Sequence, residues 1–150
     1  MIAFFTQGGW TGKVPKNNPN MRTDQAWVYA LDAVHFPIDQ LPNTKFEVGI
    51  VIIPKEDYRI NLANINYPLI KKIKEICDKV LVMQESTHWD WQDESFNSMV
   101  WYYNQLTEAD AILCHNDIDI PYFKGITNKP AFHFPTLMIE DTIKISTDKE

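Results

Sequence analysis

Glu47-Val48-Gly49-Ile50-Val51-Ile52-Ile53 is a nearly unbroken apolar run, and Pro54 stops it. A strand buried on both faces reads this way, because helices cover a parallel sheet above and below. Shorter runs of the same kind lie at 2–6, 80–83, 111–114 and 131–134. Stretches with helical spacing separate them. Residues 24–34 place Trp27, Ala30, Leu31 and Val34 on one side, with Thr23 or Asp24 as the cap. A second helix is expected from Asn66, with Pro68 in its first turn and Leu69, Ile70, Ile73, Ile76 and Cys77 inward. Residues 95–108 give a third, facing inward through Phe96, Met99, Val100, Tyr103 and Leu106. A short fourth helix over 118–124 is expected to stop at Gly125. Pro37 and Pro42 punctuate the exit of the first helix, and the tail from Asp141 turns polar.

Strand–helix alternation at this spacing predicts an α/β fold: a Rossmann-like three-layer α/β/α domain with a mainly parallel sheet of about five strands. With 150 residues, one domain over 1–150 is the natural count. The chain is 45% hydrophobic and 13% aromatic, enough for a sizeable core, and its net charge is −6. That balance argues against a nonspecific nucleic-acid binder, which carries a basic patch; nucleic acid remains only as an acceptor. Cys77 and Cys114 lie in apolar contexts without metal spacing and are expected to be reduced core thiols. No run approaches the ~20 apolar residues of a membrane span, and the start does not resemble a signal peptide. The expected location is the cytoplasm, the host's if the source is viral.

The first strand runs into Thr6-Gln7-Gly8-Gly9-Trp10-Thr11-Gly12-Lys13. Gly8 and Gly9 let the backbone turn sharply and approach a bound group. Neither phosphate-loop pattern fits. Three residues, not four, separate Gly8 from Gly12-Lys13, Val14 follows, and Gly-x-Gly-x-x-Gly is absent. A tight turn without a ligand is an equal reading.

In a parallel sheet all carboxyl ends share one edge, where α/β domains bind ligands. Three loops with reactive side chains therefore converge: 7–13, 85–93 and 115–119. His88 has Asp90 close by and can act as a base or donate to a ligand oxygen. Trp89 and Trp91 alternate with Asp90; their rings either stack on sugars or bases, or plug the core edge. His115 follows a buried strand and precedes Asn116 and Asp117; it either caps the sheet edge or takes part in chemistry. His133, inside a strand, and His35, at a helix exit, are expected to be structural. A zinc site on His88 and His115 lacks a third ligand, so no metal is expected.

Three segments carry a resemblance: AFFTQGGWTGK (3–13), QESTHWDWQDESFNSMVWYYNQL (84–106) and EADAILCHNDIDIPYFKGITNKPAFHFPTLM (108–138). Together they resemble the N-terminal, acceptor-side half of GT-B type glycosyltransferases, in particular short forms from phage and bacterial genomes. The resemblance covers nearly the whole chain, and its individual motifs are moderately specific. It implies that this domain binds the acceptor, a C-terminal domain binds a nucleotide-sugar donor, and transfer occurs between them without a resident cofactor. By the same resemblance the Gly8-Gly9 turn lies near the donor diphosphate, with Trp10 and Lys13 beside it, although Lys13 matches no family motif. Trp89, Trp91 and Asn116 would contact substrate. His88 or His115 would act at the sugar, and Asp90 and Asp117 are the base candidates.

A complete enzyme of this type continues into a second Rossmann-like domain. The chain is therefore expected to be an excised domain, one half of a split enzyme, or a remnant kept for binding. The alternative is a non-catalytic module that binds a protein or nucleotide on the same fold. A receiver-like domain is weaker, because Thr6-Gln7-Gly8 stands where acids are needed, and the flavodoxin phosphate-loop spacing is not met.

Overall fold

The computed structural model describes residues 1–16, 18, 19, 21, 23–54, 67–85 and 95–139. Its strands are β1 (Ile2–Thr6), β2 (Val34–Pro37), β3 (Phe46–Val51), β4 (Cys77–Gln84), β5 (Ala111–Cys114) and β6 (Ala131–His133). Its helices are α1 (Asp24–Ala30), α2 (Leu69–Lys74), α3 (Phe96–Glu108) and α4 (Asp119–Thr127). The six strands form one sheet in the order β2-β1-β3-β4-β5-β6, and every pairing is parallel. The fold is the expected Rossmann-like α/β architecture, with one strand more than the sequence suggested.

Side chains alternate between the two faces of the sheet, as the pleat requires. Ala3, Phe5, Val51, Val80, Val82, Ile112 and Cys114 share one core with Leu69, Ile70 and Ile73 of α2, Trp101 and Leu106 of α3 and Phe123 of α4. Phe4, Ile50, Met83 and Leu113 face the other way, toward Val28 of α1. Helices thus lie on both faces, one against three. Among the described residues no helix is long and apolar enough to cross a membrane.

The additional strand is β2, which falls in the region expected to be the end of the first helix. That helix stops at Ala30 because the chain turns at Leu31 and Asp32, where Asp32 takes φ 51° and the Ala33 N–H returns to the Val28 carbonyl at 2.9 Å. His35 consequently lies in a strand rather than at a helix exit. Thr23 holds the cap position without a side-chain cap bond. Cys77, expected on a helix, opens β4 instead, and Phe134 lies just beyond β6. Asn66 lies outside the described residues, and Pro68 is the residue before α2.

Two further expectations are corrected. On α3 the buried residues are Trp101, Tyr102, Gln105 and Leu106, whereas Phe96, Met99 and Tyr103 are exposed. The rotation follows from polar demands at the start of α2. Gln105 Oε1 accepts the Ile70 N–H at 3.0 Å, while Gln105 Nε2 and Trp101 Nε1 donate to the Tyr67 carbonyl at 3.2 and 2.9 Å. A helix start leaves backbone donors unpaired, and here the neighbouring helix serves one of them. On α4 the helix runs through Gly125 to Thr127 and ends on Asn128 in the left-handed region, φ 55°. Asparagine tolerates that conformation and replaces the expected glycine cap.

Two glycine substitutions test this register. A Cβ on Gly49 would meet Cys77 Sγ at 2.8 Å and the Phe5 ring at 3.2 Å, whereas one on Gly125 meets nothing within 4 Å. In urea unfolding, Gly49→Ala is expected to destabilise by about 1–3 kcal/mol. Gly125→Ala, inside a helix, is expected to stabilise by about 0.5–1 kcal/mol. Loss of stability in Gly125→Ala would instead mark Gly125 as the helix end.

Candidate functional site at the carboxyl edge of the sheet

The chain leaves β1 for β2 on one side and returns to β3 on the other. The strand order therefore reverses between β1 and β3, and the crevice outside their carboxyl ends is where such sheets bind ligands. The glycine turn lies here. Its geometry is set by a buried histidine that the sequence reading treated only as structural. His35 Nδ1 contacts the Trp10 carbonyl at 2.8 Å, and its Nε2 contacts Thr6 Oγ1 at 2.6 Å. A carbonyl oxygen only accepts, so Nδ1 carries the proton and Nε2 of the neutral ring accepts from the Thr6 hydroxyl. Thr6 Oγ1 in turn accepts the Gly8 N–H at 3.0 Å. The Trp10 ring stacks on the imidazole, with centroids 3.8 Å apart and planes 15° apart. Gly12, at φ 116°, exchanges both backbone hydrogen bonds with His35 at 2.9 Å. Burial pushes the His35 pKa below the ordinary 6.5, against the Trp10 carbonyl and the Asp24 carboxylate, which pull it up.

The other expected residues are dispersed along the same edge. Gly9 is exposed, and Lys13 is exposed and paired with Asp32 at 2.9 Å. His115 is buried just past β5, with Nδ1 donating to the Phe134 carbonyl at 2.7 Å. The same donor logic leaves Nε2 as the acceptor nitrogen of its neutral ring. Asn116 is half-buried and Asp117 is exposed. His88, Trp89, Asp90 and Trp91 lie outside the described residues. β1 and β5 are three strand spacings apart, so about 14 Å of sheet edge separates the glycine turn from His115.

A second group, not foreseen as such, lies at the β4–β5 end. Glu85 is exposed as a residue, yet desolvation by the surrounding protein pushes its pKa above the ordinary 4.5. The Asp24 carboxylate adds to that rise, and His115 opposes it. The chain after β6 closes over this end. The Phe134 N–H donates to the Cys114 carbonyl, and the Phe134 ring stacks on Trp27 with centroids 4.6 Å apart. Trp27 Nε1 donates to the Pro135 carbonyl at 3.0 Å, and the Thr23 N–H to the Leu137 carbonyl at 2.8 Å. This strap ties β6 to α1 across the edge. Asp24, Trp27 and Phe134 carried no local signal, because only the crossing of the strap brings them together.

The arrangement offers a carboxyl group whose pKa is raised by burial, a histidine whose Nδ1 is engaged by a carbonyl, and aromatic rings beside them. Such a set suits hydrogen bonding to hydroxyls and proton exchange with them. Among the described residues no three groups of metal-ligating type gather at one point. Cys77 and Cys114 are buried, and burial pushes both thiols up to about 11, so neither is a nucleophile at neutral pH.

The two glycines of the turn separate in a substitution test. A Cβ on Gly8 would lie 3.0 Å from Trp10 Nε1 and 3.3 Å from Thr6 Oγ1, whereas one on Gly9 meets nothing within 4 Å. Gly8→Ala is expected to disturb the Trp10 signal in near-UV circular dichroism, and Gly9→Ala to leave it unchanged. Glu85 supplies a pH test. Its folded pKa is raised, so the native state binds more protons than the unfolded state just above pH 4.5, and stability falls as pH rises through that window. Glu85→Gln is expected to be more stable than the parent at pH 7 and equal to it below about pH 4.

Comparison of the chain with protein-family models, with curated proteins and with solved structures finds no match.

Proposed function

We propose that this chain is the acceptor-side domain of a GT-B type glycosyltransferase, contributing to sugar transfer when paired with a donor-binding domain. The observation that carries the reading is the placement of the glycine turn, Glu85 and His115 on one edge of an all-parallel sheet, with the turn beside the strand-order reversal. The three resembling segments supply the turn, the β4 exit and the β5–β6 block that make up this edge. In this reading the Gly8-Gly9 turn lies near the donor diphosphate and offers the Gly9 amide, the Gly8 N–H being held by Thr6, with Trp10 and Lys13 beside it. His115 accepts a hydrogen bond from, or takes a proton from, a sugar or acceptor hydroxyl through Nε2. Asp117 and Asn116 lie next to it, and His88, Trp89, Asp90 and Trp91 follow the same β4 exit in sequence.

The reading is tested by titrating the chain with UDP- and GDP-sugars while following backbone amides by NMR. Weak, saturable shifts are expected at Gly8, Gly9, Lys13 and residues 115–117. His115→Ala should weaken the interaction at least ~10-fold, the loss of one good polar contact in a buried site. Absence of shifts along this edge with both nucleotides, and with glycan acceptors, overturns the proposal.

A second reading, a non-catalytic binding module, is favoured by a separate feature. Met99, Tyr103, Tyr122 and Ile126 line an apolar cleft of about 230 Å³ between α3 and α4. Phe96, just beyond it, is 77% exposed. Exposed apolar clusters of this kind mark interaction surfaces. Ligand-induced shifts confined to α3 and α4 would support this second reading over the first.

A further inference from the structure

Three of the contacts that fix the glycine turn run through one imidazole ring. We propose that Thr6, His35 and Trp10 form an acid-sensitive latch, in which a proton taken up at His35 Nε2 releases the 8–13 loop from the sheet edge while the rest of the fold persists. The inference concerns the loop itself and holds whether or not the loop receives a nucleotide sugar.

The latch has one hydrogen-bond direction. The Gly8 N–H donates to Thr6 Oγ1, the Thr6 hydroxyl donates to His35 Nε2, and His35 Nδ1–H donates to the Trp10 carbonyl. Protonating Nε2 places two donor hydrogens face to face across 2.6 Å. If the Thr6 hydroxyl turns to accept from the imidazolium, its own proton must find another acceptor at a buried position. Stacking on Trp10 favours a cation and returns part of the cost. Burial opposes the charge and lowers the His35 pKa, against the Trp10 carbonyl and Asp24, which raise it.

Asp24 of α1 attracts a proton to the ring, and Lys13 of the loop is neutralised by Asp32 in the turn before β2. β1 carries no charged residue, and β2 has only His35 itself. The closed arrangement needs an unprotonated Nε2 to accept from Thr6, and burial keeps the His35 pKa below 6.5. The closed loop is therefore favoured while the ring is neutral and weakened as the pH falls through the His35 transition. The ties that hold the loop include the Gly8 bond to Thr6, the Trp10 stack and its packing on the second core, the paired bonds of Gly12 with His35 and an exposed ion pair at Lys13. Those at Thr6, Trp10 and Gly12 all meet at His35 or its hydrogen-bond chain.

NMR of the whole chain tests the latch. The His35 ring resonances are titrated between neutral and mildly acidic pH, together with hydrogen-exchange protection of the Gly8, Gly12 and Leu106 amides. Protection of Gly8 and Gly12 is expected to fall at least ~10-fold with the His35 midpoint, after correction for intrinsic exchange, while Leu106 in α3 stays protected. Thr6→Val removes the hydroxyl that donates to Nε2; wherever the His35 midpoint then lies, loop release, followed at the Gly12 amide, should move with it. Gly8 and Gly12 amides that ignore the His35 transition overturn the latch. So does simultaneous loss of Leu106 protection, which would mean acid unfolding of the whole chain, or a Thr6→Val loop midpoint that does not follow the ring.

Discussion

Parallel pairing at the centre of the sheet is the constraint on which the rest depends. β3 pairs with β1 on one side and with β4 on the other, in the same direction as both. The join is tight enough that Gly49, opposite Ala3 and Val80, has no room for a side chain beside Cys77 and Phe5. With β3 fixed, the remaining strands add in one direction, and every strand ends at the same edge. Residues far apart in the chain, such as Thr6, His35, Glu85 and His115, are then held along one rim.

That rim gathers four of the buried polar side chains. Thr6 ends β1, Gln84 ends β4, His115 follows β5, and His35 lies within β2; all are buried. Burying such groups is unfavourable unless they are hydrogen-bonded, and here the partners are identifiable. Tyr102 donates to Gln84, Phe134 accepts from His115, and the Thr6–His35–Trp10 chain satisfies three groups in sequence. A purely structural edge would be simpler to fill with apolar side chains. The satisfied polar groups gathered at the carboxyl ends, and the strap that closes over them, are the features on which the proposed function rests.

Much of the fold was legible in the sequence because its strands are strongly apolar. The run near residues 47–53, the short runs at 80–83 and 111–114, and the helices between them announced a doubly wound sheet. β2 was hidden because Val34-His35-Phe36-Pro37 is brief, and its first residue also fits the helical spacing of α1. The inward side of α3 was misjudged for a different reason. Periodicity counts apolar residues, whereas Gln105 is buried for its hydrogen bonds to Tyr67 and Ile70. Of the candidate site, the glycine turn and His115 stood out locally, but Asp24, Trp27 and Phe134 did not.

The sequence by itself determined the parallel α/β class, the direction of the strands and hence the edge on which the reactive loops lie, because unbroken apolar runs alternating with amphipathic helices admit few other packings. The tertiary structure alone decided which polar groups meet. His35 became the partner of Thr6 and Trp10, and His115 that of Phe134, through contacts spanning 29, 25 and 19 residues. Hydrogen bonds of that range depend on strand order and on the path of the loops, which local residue patterns do not encode.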